Sequence, residues 1–111
     1  MYNKFNLIVV NLDPSIGHEV KKRRPCVIIS PDEMNNSVKT ITIAPLTTTE
    51  KPIPTRVLIK ACDDSGLDND SYAMLDQIMS IDQSRVEKII GSVSDSEEQD
   101  ITDRLLELFA R

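Results

Sequence analysis

Apolar residues fall along the chain in short runs, each stopped by a cluster of turn formers. Residues 5–12, FNLIVVNL, make a first run that ends at Asp13-Pro14, a turn signal. A polar loop, SIGHEVKKRR, follows, and Pro25 closes it by biasing Arg24 toward an extended backbone. CVIIS (26–30) reads as a β-branched strand, and PDEMNN as a helical turn or short loop. KTITIAPL (39–46) alternates Thr and Ile, the period-two signature of a half-buried strand. Beyond the hydroxyl- and proline-rich TTTEKPIP, TRVLIK (55–60) predicts another strand, and DDSGLDND (63–70) an acidic turn. SYAMLDQIMSI (71–81) reads as extended throughout, with the polar pair Asp76-Gln77 inside it, and EKIIGSV (87–93) as a last strand.

The period then changes. Ser94 stands three residues before Glu97, the spacing of a capping box, and acidic residues crowd the turn that follows. Ile101, Leu105, Leu108 and Phe109 fall on one helical face. Several short strands with frequent turns and one terminal helix predict a mainly β fold, a small curved antiparallel sheet or barrel with the helix packed on or beside it.

The length of 111 residues predicts a single domain, 1–111, large enough for a core without disulfides. Cys26 and Cys62 have no CxxC spacing and the lone histidine is remote from Cys62, which argues against a zinc site. The first apolar run is too short and too polar for a signal peptide or a spanning helix, so a cytoplasmic protein without a membrane partner is expected. Net charge is -5, but unevenly spread. Residues 1–61 carry nine Lys or Arg against five Asp or Glu, a balance of +4, and residues 62–111 four against thirteen, a balance of −9. The first half can therefore present a positive surface to a polyanion.

The densest positive charge, Lys21 to Arg24, runs straight into Pro25 and a strand. Arg24 is anchored on one side by that boundary, and its guanidinium can grip a phosphate with two parallel hydrogen bonds. A solvated surface run is the plainer reading of the same residues. Thr47 follows directly on an alternating strand, so the sheet positions a hydroxyl able to donate to a phosphate oxygen; threonine's liking for strands and turns explains it equally. His18 and Glu19, in the loop with Arg24, are candidates for moving protons. Asp76 and Gln77 need hydrogen-bond partners if buried, and suit a network that fixes other groups.

Together these stretches resemble the MazF/PemK family of toxin endoribonucleases. The segment VVNLDPSIGHEVKKRRPCVIIS is similar to the family's strand, Leu-Asp-Pro-(Thr/Ser)-x-Gly-x-Glu, loop, Arg-Pro, apolar strand and Ser. TITIAPLTTTEK resembles its strand ending in Pro-x-Thr-(Thr/Ser), and LDQIMSIDQSRVEKIIGSVSDSE its tail before a C-terminal helix. The resemblance covers nearly the whole chain. It implies an SH3-like barrel, usually a homodimer, that cleaves single-stranded RNA without a metal or other cofactor and leaves 2′,3′-cyclic phosphate and 5′-hydroxyl ends. By position it implies Arg24 and Thr47 as the central catalytic pair, with His18 and Glu19 beside them. Lys21, Lys22, Arg23 and Thr48 would bind RNA, and Asp76 and Gln77 would support the site. It also implies an antitoxin whose acidic C-terminal segment is disordered until it binds. The chain departs from the family in having no Trp and in carrying Met74 where some PemK-like members have an arginine. The fold resemblance extends to CcdB-like toxins, which bind a topoisomerase and cut nothing.

Overall fold

The computed structural model describes residues 1–12 and 23–110. Seven strands form one antiparallel sheet: β1 (Asn6–Asn11), β2 (Arg23–Ile28), β3 (Thr40–Thr47), β4 (Arg56–Ile59), β5 (Ser71–Met74), β6 (Met79–Asp82) and β7 (Val86–Ser92). Helix α1 (Asp32–Ser37) follows β2, and α2 (Asp95–Phe109) ends the fold. The sheet order is β4-β5-β3-β2-β1-β7, with β6 also paired to β3. The result is curved and barrel-like, with β4 and β7 at the ends of the path and β6, paired only to β3, as a further edge.

The continuous apolar runs of β1 and β2 are explained by burial on both faces. Leu7 and Val27 point into one cluster with Ala44, Leu46, Val57, Ile59 and Ala73. Their strand neighbours Ile8, Val10, Cys26 and Ile28 point into a second, with Ile41, Ile43 and Ile81. Strand alternation divides the two sets, since successive side chains leave opposite faces. The half-buried pattern expected for β3 holds over Thr40–Ile43, but Ala44, Pro45 and Leu46 are all buried. There the first cluster, which includes Ile101 of α2, covers the other face as well.

The stretch 71–81 is not a single extended strand. A 3-10 turn over Leu75–Gln77 splits it, and both halves run antiparallel along the same edge of β3. Met79–Asp82 pair with Thr40–Ile43, and Tyr72 and Ala73 with Thr47 and Leu46. The turn takes up residues that a continuous ladder would have to shed as β3 curves, and it buries Leu75 in the core.

Helix α2 begins as expected. The Ser94 side chain accepts from Glu97 N and the Glu97 carboxylate accepts from Ser94 N, a complete capping box. Its packed face is shorter than the pattern predicted. Ile101 is buried, but Leu108 and Phe109 stand 41% and 66% exposed.

Candidate active site

β2 lies between β1 and β3, a position where proline is rare because it cannot donate to the ladder. The strand also starts earlier than Pro25 suggested, for Arg23 and Arg24 already pair with Asn11 and Val10. Toward β3 the ladder runs only over Cys26–Ile28. Ile29 N donates to Thr42 O at 2.9 Å, which makes 29/42 a hydrogen-bonded pair. Antiparallel pairs alternate, so 25/46 is the next such position but one along the ladder. Pro25 has no N–H to give to Leu46 O there. The Arg24 guanidinium supplies the missing donor, with Nη1 3.3 Å from that carbonyl. The proline thus opens the ladder and the arginine folds into the opening, held by one of its five N–H groups, and among the described residues no other hydrogen bond engages the guanidinium.

Thr47 is the last residue of β3 and lies opposite Tyr72. Its Oγ1 accepts from Thr49 N at 3.2 Å. With that oxygen accepting from the chain, and no acceptor for its proton among the described residues, the hydroxyl can donate outward. Burial, then the neighbouring Glu50 carboxylate, push the Tyr72 phenol above its ordinary value. Tyr72 therefore stays protonated beside Glu50, next to the end of β3 that carries Thr47. Arg23, Arg24, Pro25, Leu46, Thr47, Thr48 and Ser71 line one cavity of about 250 Å3. Behind it, burial pushes the Cys26 thiol up to about 12 against the opposing charge of Arg24. A thiol so raised stays protonated and inert at neutral pH.

Arg23 reaches across β1 to Glu87, with Nε 3.2 Å from Oε1. His18, Glu19, Lys21 and Lys22 lie outside the described residues. Asp76 sits in the 3-10 turn after β5, four residues past Tyr72, and lines neither the Arg24 cavity nor its neighbour. Its carboxylate accepts from Arg56 Nε (2.9 Å) and Nη2 (3.2 Å) and from Thr55 Oγ1 (3.2 Å). The Arg56 guanidinium thereby holds the Asp76 carboxyl below its ordinary value. The pair ties the start of β4 to the turn that splits β5 from β6. Gln77 is exposed in the same turn.

The structure adds Ser71, Lys88 and residues 66–69, which the sequence pattern did not single out as site residues. Pro25, Thr48 and Ser71 also border a second cavity, reached by Lys88 of β7 and by residues 66–69 of the acidic turn. The negative half of the sequence is therefore not remote from the cationic strand.

The family model for PemK-like, MazF-like toxins of type II toxin-antitoxin systems matches residues 3–109. The endoribonuclease MazF9 of Mycobacterium tuberculosis is 37% identical over 94 residues, 79% of this chain and 79% of its own. The endoribonuclease toxin MazF of Escherichia coli is 37% identical over 76 residues, 68% of this chain and 64% of its own. Among solved structures, a MazE-MazF complex from Deinococcus radiodurans superposes with a TM-score of 0.81 at 24% identity, covering 96% of this chain and 94% of that one. An endoribonuclease in complex with its cognate antitoxin, from a mycobacterial species, gives 0.80 at 20% identity, covering 96% and 93%.

Proposed function

The chain belongs to the PemK-like, MazF-like toxins of type II toxin-antitoxin systems, and on that premise we propose that it is a metal-independent, sequence-specific endoribonuclease that cuts single-stranded RNA and so halts translation and growth. The observation that carries this reading is the meeting of the Arg24 guanidinium and the Thr47 hydroxyl at one cavity of the sheet. Relatives 37% identical to it are endoribonucleases, which agrees.

The chemistry follows from what those groups can do. The ribose 2′-hydroxyl is an internal nucleophile, so its attack on the adjacent phosphorus expels the 5′-oxygen of the next nucleotide. A 2′,3′-cyclic phosphate and a 5′-hydroxyl remain, and DNA, which lacks the 2′-hydroxyl, resists. The protein must hold the in-line geometry and neutralise charge growing on the non-bridging oxygens. Arg24 suits the second task, because a guanidinium is a strong fork-shaped donor and a poor base. Thr47 donates to the same phosphate. Glu19 and His18 are the candidates for taking the 2′-hydroxyl proton and giving one to the leaving oxygen. Lys21, Lys22, Arg23 and Thr48 guide flanking phosphates. Asp76 acts on the site only through the turn that it ties to Arg56 and Thr55, and Gln77 supports the site from the same turn.

Residues 1–111 work as one cytoplasmic domain, and two copies pair. Exposed Leu58 on β4 and Ile89 on β7, two of the edge strands, supply apolar surface for a homodimer to cover. A cognate antitoxin holds the toxin inactive, with an acidic C-terminal segment that orders over the cationic groove on binding. The direct test is single-stranded RNA incubated with the wild-type protein and with Arg24→Ala in the presence of EDTA. The wild type should yield cyclic-phosphate ends and the variant none. Equal cleavage by both would overturn the assignment.

A further inference from the structure

Beyond Pro25 the site opens into a larger cavity of about 340 Å3, within the ~300–1,000 Å3 of pockets that hold small ligands. Pro25, Leu67 and Ile90 give it apolar walls, and Asp68, Asn69 and Lys88 give it polar ones. The turn that carries residues 67–69 is firmly seated. Ser65 is buried, its Oγ accepting from Cys62 N and Leu67 N and donating to Cys62 O. Gly66 has φ +70°, and a Cβ there would stand 2.0 Å from Ile90 O. A Cβ on Gly91 would meet Asp64 O at 2.2 Å. Two glycines therefore let the turn lie directly on β7, where Ser92 N donates to Asp64 O at 2.8 Å. Among the described residues Lys88 makes no ion pair, whereas Arg23 is held by Glu87.

We propose that this cavity is a nucleotide subsite beside the scissile phosphate, in which Lys88 takes a flanking phosphate and Asp68 with Asn69 reads a base bearing an exocyclic amino group. The inference rests on the ribonuclease reading above. A carboxylate only accepts hydrogen bonds, so Asp68 needs a base edge that donates. Adenine, cytosine and guanine offer an amino group there. Uracil offers a single N–H flanked by two carbonyls that the carboxylate repels. Asn69, donor and acceptor at once, can complete a second bond to the same edge. The apolar walls receive the base's faces, and the glycine-seated turn holds the reading groups in place before RNA arrives.

Cleavage of a randomised single-stranded RNA, with the cut ends sequenced, reads the subsite directly. The wild type should disfavour uracil at one position flanking the cut. The double variant Asp68→Ala/Asn69→Ala should lose that preference by about tenfold or more, with preferences at other positions kept. Because preference is a ratio within one sample, a partly unfolded variant cannot mimic the loss. Unchanged preference in the double variant, or a wild type that favours uracil at every flanking position, would overturn the proposal. Independently, Lys88→Gln in an Arg24→Ala background should flatten the salt dependence of RNA binding, lowering the slope of log K against log salt by about 0.7. An unchanged slope contradicts the role of Lys88. A wild type that cuts no RNA defeats the ribonuclease reading itself, and one that cuts while both variants behave normally defeats only the subsite.

Discussion

At the scale of single residues, the site depends on a proline that withholds a hydrogen bond. Pro25 leaves Leu46 O without its ladder partner, and Arg24 fills the place at 3.3 Å, which fixes where the guanidinium lies. Arg24→Lys should then restore little of the cleavage lost in Arg24→Ala. An ammonium is a point charge and cannot cap the carbonyl while gripping a phosphate with a fork. Single-turnover rates of the two variants check this, and a lysine variant within a few-fold of wild type would count against it. Asp76 carries a different prediction. Asp76→Asn should leave the cleavage preference intact but destabilise the fold by about 1–3 kcal/mol, because it weakens charged hydrogen bonds to Arg56 and Thr55. The folded-state carboxyl lies below its ordinary 3.8. The pair's contribution is therefore present in full above that value and drains away as pH falls through the lower folded one. Urea unfolding of wild type and variant should converge in strong acid and separate at neutral pH. Arg24 and Thr47 were singled out in the sequence by the proline that follows the one and the alternating run that ends at the other, although β2 begins before that proline. Lys88 and the 66–69 turn were not, since only the pairing of β1 with β7 brings them beside β2.

Among the elements, local signals were read well wherever they act locally. The capping box placed the start of α2 correctly because Ser94 and Glu97 satisfy each other's backbone groups. Glu97 also does something no spacing reveals. Its Oε1 accepts from Ser94 N at 2.9 Å, while Oε2 accepts from Lys60 N at 2.8 Å just past β4. Glu97→Ala should cost about 1–2 kcal/mol, and more than Ser94→Ala, because it loosens the helix from the sheet edge as well as from its own cap. Thermal melts of the two variants decide the order. The split between β5 and β6 was hidden for the opposite reason. An apolar run of this length reads as one strand until the curvature of its partner, β3, is known. The exposed last turn of α2 likewise depends on where the sheet beneath it ends.

On the scale of the whole molecule, an acidic chain gathers its site from both halves of its sequence. The cationic strand β2 comes from the first half, and Ser71, Lys88 and the acidic turn come from the second. Attraction of an acidic antitoxin segment must accordingly be local to the cationic strand and loop, since the net charge of -5 opposes it. Replacing Lys21, Lys22 and Arg23 with serine should slow antitoxin association and weaken RNA binding together, with both effects shrinking as salt rises. Sedimentation at micromolar concentration should show a dimer, and a monomer there would refute the pairing of edge strands. The central claim, cleavage by a neighbouring 2′-hydroxyl at the Arg24–Thr47 cavity, is tested most directly by one substituted RNA. A single-stranded oligonucleotide that the protein cuts once is compared, in chelator, with the same molecule carrying one 2′-deoxyribose on the 5′ side of the cut. That mechanism predicts cyclic-phosphate and 5′-hydroxyl ends from the first and no cleavage at that bond in the second. Cutting of the deoxy-substituted bond at a comparable rate would contradict it.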